Sequence, residues 1–179
     1  MMKQPKPNRQ SIRLPSWDYR QTGFYFVTIC TYQRHHLFDD PQLSEIAANA
    51  WQRIPNQPHA QHAALDEWVV MPNHIHGLIE VVHLPDTSEP QVDGKRSLQP
   101  GSLGAIIGNY KMLVTKRAKA MKRMLNTDMN VWQRGYWERI VRNDRELNEI
   151  RKYIQDNPLR WAEDRDNLDQ VLERMTYIP

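Results

Sequence analysis

The chain has 179 residues, 40% of them hydrophobic, and a net charge of +3, which suits one globular domain with flanking extensions and a core of its own. No stretch approaches the ~20 consecutive apolar residues of a membrane span, and the basic start lacks the apolar run of a secretory leader, so a cytoplasmic protein with no membrane partner is expected. The single cysteine, Cys30, rules out an internal disulfide and suits a reducing compartment.

Residues 1–21 are polar, basic and interrupted by three prolines, and are expected to form an arm. In it Lys3, Lys6, Arg9, Arg13 and Arg20 face a single acid, Asp18. Residues 24–32 are rich in β-branched and aromatic side chains and predict a first strand, with Cys30 as a small buried thiol inside it. A turn at Asp39-Asp40-Pro41 leads into a helix over 42–54 with Leu43, Ile46, Ala47 and Ala50 as its apolar stripe; Pro55 and Pro58 end it. A second strand is expected within 60–71, clearest at Trp68-Val69-Val70-Met71. Pro72-Asn73 then turns the chain into a third strand, 74–82, paired with the second as an antiparallel hairpin.

Residues 83–100 carry Pro85, Pro90, Gly94 and Pro100 without periodicity and read as a loop. A long helix is expected over 103–124, with Ile106, Ile107, Tyr110, Leu113 and Val114 toward the core. Its later turns hold Lys111, Lys116, Arg117, Lys119, Lys122 and Arg123 with no acid between them. Residues 131–141 predict a fourth strand broken at Gly135. Residues 144–157 predict a final helix with Leu147, Ile150 and Ile154 buried and Pro158 as its stop. The tail is acidic at Glu163, Asp164, Asp166, Asp169 and Glu173 and is expected to add a short helix. Strand, helix, strand, strand, helix, strand is the order of a ferredoxin-like α+β two-layer sandwich. Its antiparallel sheet of four to five strands is backed by two helices, and the last helix is an appendage.

His74 and His76 stand two apart at the start of the third strand, near a sheet end with access to solvent. Alternate strand residues share a face, so both imidazoles can address one ion while Ile75 packs on the other side. Two imidazoles with oxygen donors and no thiolate suit Mg²⁺ or Mn²⁺; zinc stays open, although a structural zinc site wants two more Cys or His ligands. Tyr153 and Asn157 are one helical turn apart on a common face. The Asn157 amide oxygen is a candidate third ligand, and Tyr153 a candidate nucleophile beside the ion. A phenol, with a pKa near ~10, is mostly protonated at neutral pH and becomes effective against a phosphodiester that a cation polarises. The basic clusters suit either a solvated helix face or a polyanion, and beside a site acting on phosphate they point to nucleic acid. Trp132, Tyr136 and Trp137 either pack in the core or stack on unpaired bases. His59 and His62 are spaced like one turn of helix, but Pro58 and the nearby strand pattern argue against a helix there, and the adjacent His35 and His36 diverge on an extended chain, so neither pair is assigned a role.

At His74-Ile75-His76 and Tyr153-Ile154-Gln155-Asp156-Asn157-Pro158 the chain resembles the Y1 transposases of the IS200/IS605 kind, within the His-hydrophobic-His endonuclease superfamily, and most of all their REP-associated tyrosine transposase branch. The stretches from Arg13-Leu14 to Asp18-Tyr19, 25–31, 70–77 and 131–137 share the likeness, which spans residues 11 to 161. The resemblance implies a ferredoxin-like endonuclease domain over 22–161, between the arm at 1–21 and the tail at 162–179. It implies a Mg²⁺- or Mn²⁺-dependent single-strand DNA nickase and strand-transferase that recognises a hairpin beside the cut, working at the bacterial nucleoid. Residue by residue, it makes His74, His76 and Asn157 metal ligands and Tyr153 the nucleophile, leaving a 5′-phosphotyrosine and a free 3′-hydroxyl. Insertion-sequence members carry glutamine where Asn157 stands. From the charge map, hairpin phosphates are assigned to Arg9, Arg13, Arg20, Lys111, Lys116, Arg117 and Lys119. The rival functions are a replication-initiator nickase with the same site and a domesticated hairpin-DNA binder that does not cut. A monomer closing the site in cis and a homodimer exchanging the tyrosine helix are both compatible with the sequence.

Overall fold

In the computed structural model, which describes residues 18–82, 101–123 and 130–161, seven main elements follow in chain order. They are β1 (Gly23–Cys30), α1 (Pro41–Gln52), β2 (Ala63–Met71), β3 (His74–Val81), α2 (Leu103–Arg123), β4 (Trp137–Ile140) and α3 (Asp144–Trp161). Most of the basic arm with Arg9 and Arg13, the stretch expected to be a loop at 83–100 and the acidic tail lie outside the described residues. The four strands form one antiparallel sheet in the order β2-β3-β1-β4. Because β1 and β2 both run antiparallel to β3, α1 is a crossover between parallel strands, and α2 repeats that arrangement between β3 and β4. This is the ferredoxin-like α+β sandwich expected from the order of elements, with four strands. Among the described residues no helix is long and apolar enough to cross a membrane.

Strand parity divides the molecule. Tyr25, Val27 and Ile29 of β1 and Ile75 and Ile79 of β3 join the large core under α1 and α2. The alternating residues Phe26 and Leu78 form a smaller cluster on the other face with Leu147, Ile150 and Ile154 of α3. α1 starts where Asp40 accepts hydrogen bonds from the Gln42 and Leu43 amides (2.9 and 3.3 Å), with Pro41 pre-set for the first turn. It buries Leu43, Ala47, Ala50 and Trp51. The Trp51 indole lies so close to β3 that a Cβ at Gly77 would stand 2.2 Å from its Cζ2, which is why this buried strand carries a glycine. α3 starts where Asn143 Oδ1 accepts from the Glu146 amide (2.9 Å) and Glu146 Oε2 accepts from the Arg142 amide (2.8 Å).

Two expectations are corrected. The fourth strand covers only four residues, Trp137–Ile140, rather than 131–141. Lys111 draws the chain away from the sheet by donating to the Gln133 and Gly135 carbonyls (2.6 and 2.7 Å), and Gly135 turns it with φ +78°. α3 does not stop at Pro158 but runs on to Trp161. An internal proline removes one helix hydrogen bond and costs ~3 kcal/mol. The extra turn offsets part of this by packing Trp161 on His74 and His36, with ring centroids 5.8 and 5.6 Å apart.

Candidate metal and nucleophile site

The two-residue Pro72-Asn73 turn delivers His74 and His76 to the face of β3 that α3 covers, opposite Cys30 and Thr28 of β1. Their rings lie 4.4 Å apart. Access to solvent at the sheet end is not observed: His74 is 1% and His76 0% exposed. What covers them is α3, whose residues Tyr153, Asn157 and Trp161 recur every four positions and form one stripe. The Tyr153 ring is 5.3 Å from His76 and the Trp161 ring 5.8 Å from His74, with Asn157, 8% exposed, between them along the helix. Tyr153 itself is half-buried.

Hydrogen bonds orient both rings. Asn73 Oδ1 can only accept, so His74 Nδ1 carries the proton it donates across 2.6 Å. His74 Nε2 is then a bare lone pair, and among the described residues it is buried without a hydrogen-bond partner. We assign His76 the same tautomer, with Nδ1–H donating to Thr28 Oγ1 (2.8 Å) and Nε2 accepting from the Tyr153 hydroxyl (3.2 Å). Burial pushes the His74 pKa down to about 3, with the Arg34 charge as a second cause. Burial and then His74 push His76 well below its ordinary value. Both rings are therefore neutral at physiological pH, the form that binds a metal. A buried acceptor left unpaired costs free energy, and a cation would satisfy it. Among the described residues no three His, Cys, Asp or Glu side chains come together; Asn157, buried on the helix that covers the histidines, carries an amide oxygen of the kind a hard ion takes. Two imidazoles, oriented by Asn73 and Thr28, with an amide oxygen on the covering helix are a donor set that suits a hard divalent ion with open positions.

Four contributors to the site carry no signal of that role in the sequence. Thr28 is fully buried in the apolar run of β1, 48 residues from the ring it supports. Asn73 reads in the sequence only as a turn residue. Trp161 was hidden by the expected stop at Pro158, although the four-residue spacing from Tyr153 continues through it. Arg34 sits in a turn where it and Gln33 both adopt left-handed backbone (φ 56° and 52°), tied down by Thr31, whose amide and hydroxyl bond the Asn73 carbonyl. A guanidinium in the field of His74 is well suited to a phosphate oxygen.

The cations assigned to DNA are more dispersed. Arg20 pairs with Asp18 (2.7 Å). Lys111 holds two carbonyls, as above, and burial lowers its pKa to about 8. Lys116 and Lys119 are exposed and Arg117 half-exposed on α2, across the sheet from Tyr153. Lys111, Lys116 and Arg134 border an open hollow of about 530 Å³ with Trp132 on its wall. Trp132 also bridges to Thr31, so the hollow lies at the same end of the sheet as His74. Trp132 and Tyr136 pack on the main core and Trp137 on Cys30. His62 is a structural histidine, its Nε2 2.7 Å from the Gly101 carbonyl.

No protein-family model matches the chain. An uncharacterised protein of Haemophilus influenzae is 34% identical over 183 residues, covering 90% of this chain and 94% of that protein. A second H. influenzae protein, described as a candidate REP-associated tyrosine transposase, is 24% identical over 149 residues, or 80% of this chain and 74% of the other. A solved REP-associated tyrosine transposase bound to a REP hairpin shares the fold, with a TM-score of 0.56 at 20% identity over 83% of this chain and 73% of that one. In sequence and in fold the chain is similar to REP-associated tyrosine transposases. The family resemblance rests on the His74-Ile75-His76 and Tyr153-to-Pro158 stretches, and those two stretches face each other across the site just described.

Proposed function

We propose that this protein is a REP-associated tyrosine transposase, a cation-dependent single-strand DNA endonuclease and strand-transferase acting beside hairpins through a phosphotyrosine on Tyr153. One observation carries the reading: the Tyr153 hydroxyl rests 3.2 Å from the Nε2 of a histidine whose neighbour His74 holds an unpartnered Nε2. His74, His76 and the Asn157 amide would hold the ion. Mg²⁺ or Mn²⁺ bound there supplies Lewis-acid polarisation of the phosphodiester. Tyr153 provides the nucleophile, presented in line by the helix that carries it. Its oxygen bonds to phosphorus, the bond from phosphorus to the 3′-oxygen breaks, and the phenolic proton passes through solvent to that 3′-oxygen. The resulting 5′-phosphotyrosine keeps the bond energy for rejoining or transfer to another 3′-hydroxyl. Arg34 beside His74 neutralises phosphate charge. Lys116, Arg117 and Lys119, with Arg134 and Trp132 at the hollow, hold a strand that continues around the sheet end. Tyr153 and both histidines come from one chain, which supports a monomer completing its site in cis, in the cytoplasm where chromosomal hairpins are exposed.

The test is to incubate the protein with hairpin-bearing single strands and Mn²⁺ and resolve a covalent protein–DNA adduct on a denaturing gel. The adduct is expected with the wild type and absent from Tyr153→Phe and His76→Ala. Hairpin binding with no adduct under any divalent cation would overturn the enzyme reading in favour of a binder that does not cut.

A further inference from the structure

The pairing of β2 with β3 is irregular in one place. Leu65 stands opposite Ile79 and Trp68 opposite Gly77, so three steps on β2 match two on β3. Leu65 and Trp68 both pack toward the crossover helices. In a regular strand the residues between them would point to opposite faces. The bulge turns Asp66 and Glu67 both toward α3 instead. Asp66 receives a two-pronged hydrogen bond from Arg151 (Nε to Oδ1 2.9 Å, Nη2 to Oδ2 2.6 Å), and Gln155 Nε2 donates to Glu67 Oε1 (3.0 Å). Asp66 Oδ1 also accepts from the Glu67 amide (2.7 Å), which locks the bulge, and Arg151 Nη1 reaches Asn148 on its own helix (3.0 Å).

At 100° per residue α3 carries three stripes. Leu147, Ile150 and Ile154 lie along the middle, against the sheet. Arg151 and Gln155 lie on one shoulder. Tyr153 and Asn157 lie on the other, and Trp161, one turn on, drifts into line with the middle stripe. The apolar stripe is only three aliphatic side chains wide in its buried part, and greasy contacts alone tolerate rolling. A phenolic oxygen is carried well outside the ~2.3 Å backbone radius, so a roll of only ~10° displaces it by about 1 Å. A shift of that size is enough to cost a large factor in rate.

We propose that Asp66 and Glu67 are positioning residues, whose grip on Arg151 and Gln155 sets the roll of α3 and thereby lays the Tyr153 hydroxyl on His76. The inference rests on Tyr153 being the nucleophile. The bidentate geometry is specific to arginine, so lysine at 151 retains attraction but not orientation.

The test compares wild type, Arg151→Ala, Arg151→Lys and the charge-swapped pair Asp66→Arg with Arg151→Asp. Amide hydrogen exchange across 144–161 and the rate of adduct formation with Mn²⁺ and hairpin-bearing strands are measured together. In Arg151→Ala, exchange in α3 should quicken while β1 and β3 stay protected. The adduct rate should fall by about tenfold or more with hairpin affinity unchanged. Arg151→Lys should fall between the two, and the swapped pair should recover part of both losses. Exchange in α3 or an adduct rate within about twofold of wild type in Arg151→Ala would overturn the proposal, as would a loss of protection spread over the whole sheet. If the wild type forms no adduct, the enzyme reading fails by itself. The exchange comparison then still decides whether the bulge holds α3.

Discussion

Replacing Thr28 with valine removes one oxygen from the site at nearly constant shape. Thr28 is fully buried, and its Oγ1 lies 2.8 Å from His76 Nδ1. Without that oxygen the Nδ1–H faces a methyl group, and a buried donor left unpaired costs ~1–3 kcal/mol. For a chain of this length that is a fall in Tm of roughly 2–12 °C. The ring can escape the penalty by moving its proton to Nε2 and donating to the Tyr153 oxygen 3.2 Å away. This restores a hydrogen bond and withdraws the lone pair that a cation needs. Thr28→Val should therefore weaken Mn²⁺ binding by ~10–100-fold, the range for loss of a partner behind a ligating histidine. Titration calorimetry with Mn²⁺ measures the affinity, and long-range ¹⁵N–¹H spectra of the imidazoles report which nitrogen carries the proton. A folded Thr28→Val protein whose Mn²⁺ affinity lies within about twofold of wild type would refute the reasoning.

Gly77→Ala should lower stability by ~1–3 kcal/mol or more, because the new Cβ would stand 2.2 Å from a fully buried indole that has nowhere to retreat; an unchanged urea midpoint would show that Trp51 has room. The metal-free protein should lose stability in mild acid. His74 titrates near about 3 when folded and near 6.5 when unfolded, so the unfolded chain binds more protons between those values. Stability should then fall as pH drops below about 6.5, by up to ~1.4 kcal/mol per pH unit for this ring, with His76 acting in the same direction. Denaturant titrations between pH 7 and pH 4.5 that give a flat profile would contradict this.

The histidine pair was legible because strand parity is a local rule: two residues apart means one face, whatever the partner strands. The capped start of α1 and the apolar stripes of α2 and α3 were legible for the same reason, since each depends on neighbours within a turn or two. What escaped were features set by residues distant in the chain. Nothing near residue 28 announces that its hydroxyl supports a ring at 76. Val131–Tyr136 has the composition of a strand, but Lys111 captures its carbonyls from a helix twenty residues earlier. Pro158 is a sound stop signal in isolation, and the helix runs past it to a Trp161 whose indole finds a surface at His74. The carboxylates at 66 and 67 read as ordinary solvated charges until the bulge turns them to one side.

Because β1 and β3 send one set of alternate positions into the core under α1 and α2 and the other toward α3 and the candidate site, the two are tied by a counting rule. Removing a single residue from the middle of β3 would rotate everything beyond the gap by half a turn, sending Ile75 toward the tyrosine and the imidazoles into the hydrocarbon layer beneath α1. No compensating substitution at the reacting groups could repair such a lesion. Strand length is thus as much a determinant of the candidate site here as the identity of any one side chain.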